Sequence, residues 1–349
     1  MSASGVANYE YVVARVRHRR ASLYTEEEYR KLLRMGPGEI ARFMGETEYQ
    51  TEIDALGARY AGVQLIEYAL NRNLARHFDD LLRWSDGRLY DLVARYLRKF
   101  DAWNVKTVLR GRYSSATDEE IRENLIDAGE FEEPFLDRLI AAETVEEIVE
   151  GLEETIFGEA VREAFDDFEE SGLLMPLENA IDRAYYEGLV DDVGTESRAM
   201  ELYREFLQAE IDFRNIRNAL RIARSAADMD PTSYFIEGGY LFDAAELRTL
   251  AKNRDELVAR IRESRYGEQL AAALDTLGEA ESLIEFERAL DRALLSYSDY
   301  LSHVYPLSVC PVLAFVLAKE REVDNILAIA HGKETGLSEE EIESELVML

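Results

Sequence analysis

The sequence predicts an all-α protein made of three similar helical repeats in a funnel-like, pseudo-threefold arrangement. Composition is the first reason. The 349 residues include only 6 Pro and 20 Gly, and the abundant Glu, Ala, Leu and Arg lose little rotamer freedom on a helix. Apolar spacing is the second reason, because Ile66, Leu70 and Leu74 follow the three-and-four step of an amphipathic helix. Internal repetition is the third.

Three blocks of residues recur in the same order with a period of about 110 residues. The matched positions include Glu39, Glu147 and Glu256 in the first block, Arg72, Arg183 and Arg292 in the second, and Asp101, Asp212 and Glu322 in the third. In the third block an Asn follows each carboxylate three residues later. We therefore expect repeats at residues 1–127, 128–237 and 238–349.

Turn signals separate the predicted helices. They are Gly36-Pro37-Gly38, Ser85-Asp86-Gly87, Asp230-Pro231 and Gly238-Gly239. Thr47, with Gln50 three residues later, is also expected to cap a helix. Each repeat should then hold five or six helices.

The chain is strongly acidic, with 71 Asp and Glu against 40 Lys and Arg and a formal net charge of −31. Most of the basic residues are Arg. A solvated acidic surface of this kind is typical of adaptation to high salt, because counterions screen the self-repulsion. Nucleic acid is not an expected partner, since binding to phosphate backbones needs clustered basic residues.

Redox and targeting signals are weak. Cys310 is a single cysteine in an apolar run, where we expect a small buried hydrophobe. The segment 1–11 lacks the apolar core of a signal peptide, and the apolar run 309–318 is too short to cross a bilayer. These features predict a soluble, intracellular protein.

The sequence predicts no catalytic residue, cofactor, metal site or small-molecule substrate. It has no glycine-rich phosphate loop, and its four histidines, His18, His77, His303 and His331, lack the spacing of zinc ligands. One enzyme alternative is a magnesium-dependent prenyl-transfer site at Asp166–Glu170. It would need a second acidic motif, for which Asp191-Asp192 is a poor candidate, so a solvated acidic face is favoured.

The basic cluster near the start of the chain allows two interpretations. Arg15, Arg17, His18, Arg19 and Arg20 could form a docking patch for an acidic partner or lipid head groups. Alternatively, these arginines could pair with carboxylates of the same chain.

The recurring charges predict ion pairs inside each repeat. Arg72, Arg183 and Arg292 recur in phase with Asp101, Asp212 and Glu322. Side chains present in every repeat usually serve its packing, so we expect salt bridges between neighbouring helices. If such a pair is partly buried, removing one partner should cost roughly 3–5 kcal/mol.

The chain resembles a known family at both ends. The C-terminal series runs from Tyr305-Pro306-Leu307-Ser308 through Pro311 and Ala318–Glu322 to Asn325-Ile326, Gly332-Lys333, Gly336-Leu337 and Glu341-Ile342. The N-terminal series comprises Tyr11, Ala14–Arg17, Leu23, Tyr29 and Leu32-Leu33. Both are similar to the C subunit of archaeal A-type ATP synthases, the equivalent of the d subunit of vacuolar ATPases. One departure is His331, where the other repeats carry Arg110 and Arg221.

The resemblance implies a non-catalytic rotor adapter. Such subunits form a funnel on the cytoplasmic face of the cell membrane, seated on the proteolipid ring. They receive the central stalk, made of the D and F subunits, so that proton-driven rotation powers ATP synthesis. Partner contacts are then expected at Arg15, Arg17 and Arg19 and at Tyr305 and Pro306. A helical scaffold of the TPR or HEAT type is a further alternative, disfavoured because its repeats span about 34–47 residues.

Overall fold

The computed structural model describes residues 8–191, 197–224, 234–279 and 283–348. These residues form twenty α-helices joined by turns, with no strand in the described part of the chain, which confirms the all-α class. Residues up to Ala141 together with Val312–Met348 form one compact unit, and Ala142–Pro311 forms another. The repeat boundaries and the pseudo-threefold funnel stay predictions.

The first unit holds the N-terminal helices and the end of the chain. Its helices are α1 Tyr9–Arg20, α2 Glu26–Leu32, α3 Pro37–Met44, α4 Gln50–Leu56, α5 Gly62–Trp84, α6 Arg88–Leu97, α7 Lys99–Tyr113, α8 Asp118–Glu123, α9 Glu133–Ala141, most of α19 Cys310–Thr335, and α20 Glu339–Glu345. The predicted stripe on α5 is buried, with Ile66, Leu70 and Leu74 at most 2% exposed. Helices α1, α3, α4 and α6 all pack against α5.

The second unit holds the middle of the chain. Its helices are α10 Val145–Gly151, α11 Gly158–Glu163, α12 Phe165–Ser171, α13 Met175–Asp191, α14 Arg198–Arg224, α15 Ala244–Leu250, α16 Arg254–Arg262, α17 Ala271–Glu279 and α18 Leu283–Val304. Helix α18 packs against α14 and α17. Its core is apolar, because Phe206, Leu207, Leu290 and Ala293 are fully buried.

Most of the turn signals lie where helices begin or end. Gly36 precedes α3 and Pro37 is its first residue, a position where the missing N–H of proline costs nothing. Ser85 ends α5 and Gly87 precedes α6, and Gly238 lies in the turn before α15 with φ of +99°. Asp192 and Asp230-Pro231 lie outside the described residues.

The capping role expected of Thr47 is wrong. Its hydroxyl donates to the carbonyl oxygen of Met44 at 2.8 Å, and α4 begins only after Tyr49, which makes no side-chain cap. The residues between α3 and α4 form tight turns, and these already satisfy the local backbone groups. Thr117 and Ser338, matched in the sequence, do cap helices, since each forms a capping box with a Glu three residues later.

Candidate functional site: buried carboxylates of the three repeats

Three carboxylates from matched positions lie on long helices and are buried. Asp101 is on α7, Asp212 on α14 and Glu322 on α19, each at most 2% exposed. Burying an ionised carboxylate is costly unless donors surround it. Their partners therefore show what these positions do.

The first two carboxylates bind backbone N–H groups at the start of the next predicted repeat. Asp101 accepts from Glu130 N at 2.8 Å and Phe131 N at 2.9 Å. Asp212 accepts from Tyr240 N and Leu241 N, each at 3.0 Å. Each carboxylate thus ties one predicted repeat to the start of the next predicted repeat.

A glycine permits each of these close approaches. A Cβ at Gly129 would lie 2.0 Å from Asp101 Oδ1, and one at Gly239 would lie 2.3 Å from Asp212 Oδ1. Both distances are far inside van der Waals contact, so any side chain would displace the carboxylate. Gly129 and Gly239 immediately precede the residues that donate the N–H groups.

The third carboxylate binds the first repeat. Glu322 accepts from Tyr24 N at 2.5 Å and from the hydroxyl of Tyr49 at 2.5 Å. No glycine precedes Tyr24. The side chain of Glu322 is one methylene longer than that of Asp, so its carboxylate reaches Tyr24 N without that close approach of the backbone. In terms of the predicted repeats, these hydrogen bonds therefore run from the first to the second, from the second to the third, and from the third to the first.

A buried tyrosine supplements two of the three carboxylates. Tyr49 donates to Glu322, and the matched Tyr266 donates to Asp212 at 3.3 Å. Phe157 stands at the matched position of the second repeat and carries no hydroxyl. Burial raises the pKa of both tyrosines, so both keep the proton that they donate.

The asparagine one turn after each carboxylate binds backbone near the predicted end of its own repeat. The side chains of Asn104, Asn215 and Asn325 each exchange two hydrogen bonds with one backbone residue, at distances of 2.8–3.0 Å. The backbone partners are Ile126, Ile236 and Val347. Residues three apart share a helix face, so in the first two predicted repeats the carboxylate and the Asn together bind backbone on both sides of the predicted boundary.

The predicted ion pairs are replaced by these contacts. Among the described residues, no carboxylate of the three lies within 4.0 Å of Arg72, Arg183 or Arg292. The physical reason is that other donors already satisfy the carboxylates. Backbone N–H groups bind Asp101 and Asp212. Glu322 is bound by Tyr24 N, the Tyr49 hydroxyl and Lys319.

Other residues of the same helices make the inter-helix salt bridges. Arg214 pairs with Asp182 at 3.0 Å, Arg217 pairs with Asp291, and Arg221 forms a bidentate pair with Glu287. Arg72 lines a cleft with Arg122, Glu123 and Asp127.

Burial also sets the acidity of two of these carboxylates. It raises the pKa of Asp101 and of Asp212 to about 6, although the backbone N–H donors oppose the rise. Both groups therefore titrate close to neutrality. Carboxylates with raised pKa values are found at functional sites and at structural networks alike.

A buried lysine, not predicted from the sequence, joins the third carboxylate. Lys319 is fully buried and donates to Glu322 at 2.8 Å, to the Tyr49 hydroxyl at 2.8 Å, and to Glu48. Although burial opposes it, hydrogen bonding to His77 and the charge of Lys319 lower the pKa of Glu48 to about 2. The cluster thus links α19 to the turn before α4. Its only sequence signal is a rare Lys directly after an apolar run.

The predicted docking residues near the N-terminus lie on α1. Arg15 and Arg17 are exposed, and Arg19 is half-buried in an ion pair with Asp80 at 2.6 Å. The contact of Arg19 agrees with the second interpretation of the basic cluster, in which its arginines pair with carboxylates of the same chain. Arg15 instead lies over the rings of Tyr11 and Trp84.

The other predicted docking residues follow α18. The Tyr305 hydroxyl accepts from Arg198 at 2.6 Å, and Pro306 is exposed. Val304 and Leu307 on either side are 45% and 61% exposed. This turn is therefore an exposed apolar surface held in place by Arg198.

The acidic run proposed for magnesium faces solvent. All four carboxylates of the run on α12 are exposed, so they form a solvated acidic face: Asp166, Asp167, Glu169 and Glu170. Within the described ranges no group of three or more His, Cys, Asp or Glu side chains could hold a metal ion. Cys310 is buried as expected.

In the same ranges, no helix is both long enough and apolar enough to cross a membrane.

Comparison with known proteins gives one family over nearly the whole chain. The family model described as ATP synthase (C/AC39) subunit matches residues 12–345. The C subunit of the A-type ATP synthase of Haloferax volcanii is 62% identical over 349 residues, covering 100% of both chains. The protein of the same name from Halobacterium salinarum is 61% identical over 352 residues, with 100% of both covered. That of Methanococcoides burtonii is 37% identical over 345 residues, covering 98% of this chain and 95% of its own.

These matches agree with the resemblance seen at the two ends of the sequence, and they extend it over the residues between. The family is a structural, non-catalytic part of its complex. The chain belongs to the ATP synthase (C/AC39) subunit family.

Proposed function

We propose that this chain is the rotor adapter of an A-type ATP synthase. In this role it sits at the cytoplasmic face of the membrane, joins the D and F subunits of the central stalk to the proteolipid ring, and carries proton-driven rotation to the sites of ATP synthesis. It binds these proteins and neither nucleic acid nor a small-molecule substrate. Membership of the ATP synthase (C/AC39) family supports this role most directly.

The buried carboxylates support a mechanical role. An adapter that carries torque must resist shear between its parts, and packed interiors transmit strain because they are dense and incompressible. Asp101, Asp212 and Glu322 add directional, desolvated hydrogen bonds where one repeat meets the next. Satisfied buried polar networks of this kind rigidify a fold.

Two surfaces are proposed as partner contacts. One comprises the exposed side chains of Arg15 and Arg17 on α1, and the other is the turn containing Tyr305 and Pro306. The turn presents apolar side chains without a charge of its own, which suits the core of a protein interface, where charged residues are depleted.

The test is recovery of the complex from membranes. A tagged copy of the chain, expressed in place of the native one, is purified after solubilisation, and the co-purified proteins are quantified. We expect the D and F subunits and the proteolipid in a fixed ratio to the chain. A chain recovered alone, or with the stalk proteins but never with proteolipid, contradicts the adapter role.

A further inference from the structure

One histidine of the first unit is buried among charged groups from several elements. His77 on α5 is 1% exposed, and its Nε2 lies 3.2 Å from Glu48 Oε2 in the turn before α4. Its Nδ1 lies 3.5 Å from a guanidinium nitrogen of Arg19 on α1. On α19, Lys319 pairs with the same Glu48, and the Phe315 ring lies 5.8 Å from the imidazole between centroids. The charges that act most strongly on the imidazole are therefore one carboxylate and two cations.

These contacts place the single proton of neutral His77 on Nε2. A guanidinium has only N–H donors, so Nδ1 must accept from Arg19, and Nε2 carries the proton beside Glu48. Burial lowers the pKa of His77, although Glu48 opposes the shift, and the charges of Lys319 and Arg19 lower it further. The ring is therefore neutral at neutral pH, and only the neutral ring can accept from Arg19.

Protonation of His77 would set two donors against each other. Nδ1–H would point at the N–H groups of Arg19, and two positive charges repel strongly where little water screens them. His77 has no room to turn away, because it is enclosed in the core against Phe315. Arg19 is 23% exposed and borders an open cleft of about 630 Å³, so Arg19 is the side chain that can move.

The groups that Arg19 would leave behind keep their partners. Asp80, which Arg19 binds at 2.6 Å, also pairs with Arg83. Glu48 keeps Lys319 and gains the positive charge of the imidazole. One positive charge enters the buried cluster as a proton while another leaves with Arg19, so the net charge of the cluster does not change. Such an exchange avoids the cost of leaving a buried charge unpaired.

We propose that His77 and Arg19 form an acid-sensitive latch, in which protonation of the imidazole expels the Arg19 guanidinium into the cleft and releases the last turn of α1 from α5. The proton and the docked guanidinium exclude each other, so by linkage each weakens the binding of the other by the same factor. Val12, Val13 and Val16 are buried elsewhere on α1 and hold the rest of the helix in place. The latch is a property of the chain itself and does not depend on the adapter role.

Trp84 offers a reporter for the latch. The Arg19 guanidinium lies 5.5 Å from the centre of the Trp84 ring, and Trp84 lines the same cleft. Water should replace the guanidinium when Arg19 leaves, which shifts the emission of the indole to longer wavelength. The chain has two tryptophans, and the other, Trp103, is 45% exposed on α7. The W103F variant therefore leaves Trp84 as the only tryptophan.

The test follows the emission maximum of the purified full-length W103F chain from pH 8 to pH 5 at constant salt. We expect a red shift with a midpoint below about 6.5, the ordinary pKa of histidine, because the docked Arg19 opposes protonation. The shift should be absent in W103F/H77Q, in which the amide cannot titrate but can still accept from Arg19. W103F/H18Q is the matched control, because His18 lines the same cleft and is exposed. It should shift as W103F does.

A variant of the arginine keeps the test decisive if His77→Gln prevents folding, which circular dichroism reveals. W103F/R19Q has no cation to expel, so its emission at pH 8 should already match that of W103F at pH 5 and should stay constant with pH. Constant emission of W103F over the whole range overturns the latch. So does a shift that persists in W103F/H77Q, that disappears in W103F/H18Q, or that W103F/R19Q reproduces.

Discussion

At the scale of single residues, the three buried carboxylates act as hydrogen-bond acceptors for backbone rather than as halves of salt bridges with the recurring arginines. Asp212 shows this most fully, because it accepts from two backbone N–H groups and from the Tyr266 hydroxyl. Removing a buried acceptor leaves its donors unpaired, at about 1–3 kcal/mol for each donor. Single substitutions at Asp101 and Asp212 should therefore be costly even though no ion pair is broken.

Asp212→Ala should lower the free energy of unfolding by about 2–4 kcal/mol. The Leu241 N–H and the Tyr266 hydroxyl are buried and would lose their acceptor. Denaturant unfolding of the full chain at constant salt measures the change. Asp54→Ala on the exposed side of α4 is the control and should stay within about 0.5 kcal/mol. Equal stability of the two variants would show that water replaces the carboxylate without cost.

Gly129→Ala should be strongly destabilising because its Cβ would lie 2.0 Å from Asp101 Oδ1. Gly188→Ala is the matched control: it lies within α13, and a Cβ there meets nothing within 4 Å. Since Ala favours helix over Gly, the control should gain up to about 1 kcal/mol. The unfolding temperatures of both variants, compared with that of the native chain, test this prediction. A neutral Gly129→Ala would mean that the carboxylate can move away freely.

Asp101 and Asp212 should add stability as pH falls from about 8 to about 5, because their folded-state pKa values are about 6. An unfolded Asp titrates near 3.9, so between these values the folded state binds protons that the unfolded state has released. That contribution is lost as pH rises through 6, and each group contributes up to about 3 kcal/mol. Two groups act in the opposite direction. Burial lowers the pKa of His77, so its neutral folded form loses stability as pH falls through 6.5. Glu48 opposes only below about pH 4.5, since its folded-state pKa is about 2.

The pH effect is measured by comparing how steeply the free energy of unfolding depends on pH in the native chain and in one variant. Urea unfolding of the native chain and of Asp101→Asn is followed from pH 5 to pH 8 at constant salt. The variant cannot titrate at position 101, so its stability should depend less steeply on pH. Parallel slopes would mean that Asp101 does not titrate in this range.

At the scale of helices, α19 is tied to the N-terminal helices by the cluster around Lys319. The lysine contacts Glu322 on its own helix and Glu48 and Tyr49 before α4. A buried charge left without its partner costs several kcal/mol, whereas an apolar replacement of the whole group can cost little. The three charges should therefore be strongly coupled.

A double-mutant cycle of Lys319→Met and Glu322→Gln tests that coupling. Lys319→Met alone should cost about 3–5 kcal/mol, because it strands Glu48 and Glu322 in the core. The double variant should cost less than the sum of the single ones, with an interaction energy of about 1–3 kcal/mol. The stability loss and the interaction energy are both obtained from denaturant unfolding of the native chain, the two single variants and the double variant. Additive losses would show that Glu322 is satisfied by Tyr24 and Tyr49 without the lysine.

The sequence predicts the helices and the important positions better than it predicts their partners. The amphipathic step on α5 and the turn residues around Gly36 and Gly87 fix local structure, since they depend only on near neighbours. The recurrence of Asp101, Asp212 and Glu322 identifies positions that matter. Recurrence cannot reveal, however, that a backbone N–H from the next repeat lies closer than an arginine.

Two signals in the sequence could have located those partners. Gly129 and Gly239 stand 28 and 27 residues after their carboxylates, and a glycine that recurs at nearly the same spacing indicates close approach of the backbone. Lys319 gives a weaker signal, because a single lysine after an apolar run also fits a helix end. Its buried cluster depends on packing between α19 and residues some 270 positions earlier.

At the scale of the whole molecule, the proposed role makes the chain a mechanical part of a larger machine. The family assignment covers residues 12–345, and the described helices carry hydrogen bonds where each predicted repeat meets the next. The proposed contacts, α1 and the turn after α18, leave that internal network untouched. Loss of the chain should therefore uncouple ATP hydrolysis from proton transport without abolishing ATP hydrolysis.

The most direct test uses membrane vesicles from cells that lack the chain, before and after the purified chain is added back. ATP hydrolysis by the catalytic head, ATP-driven proton pumping and proton-driven ATP synthesis are measured on the same vesicles. We expect hydrolysis to persist without the chain, synthesis and proton pumping to be absent, and both to return when the chain is restored. Synthesis that proceeds at the normal rate without the chain, or hydrolysis that requires it, would contradict the adapter role.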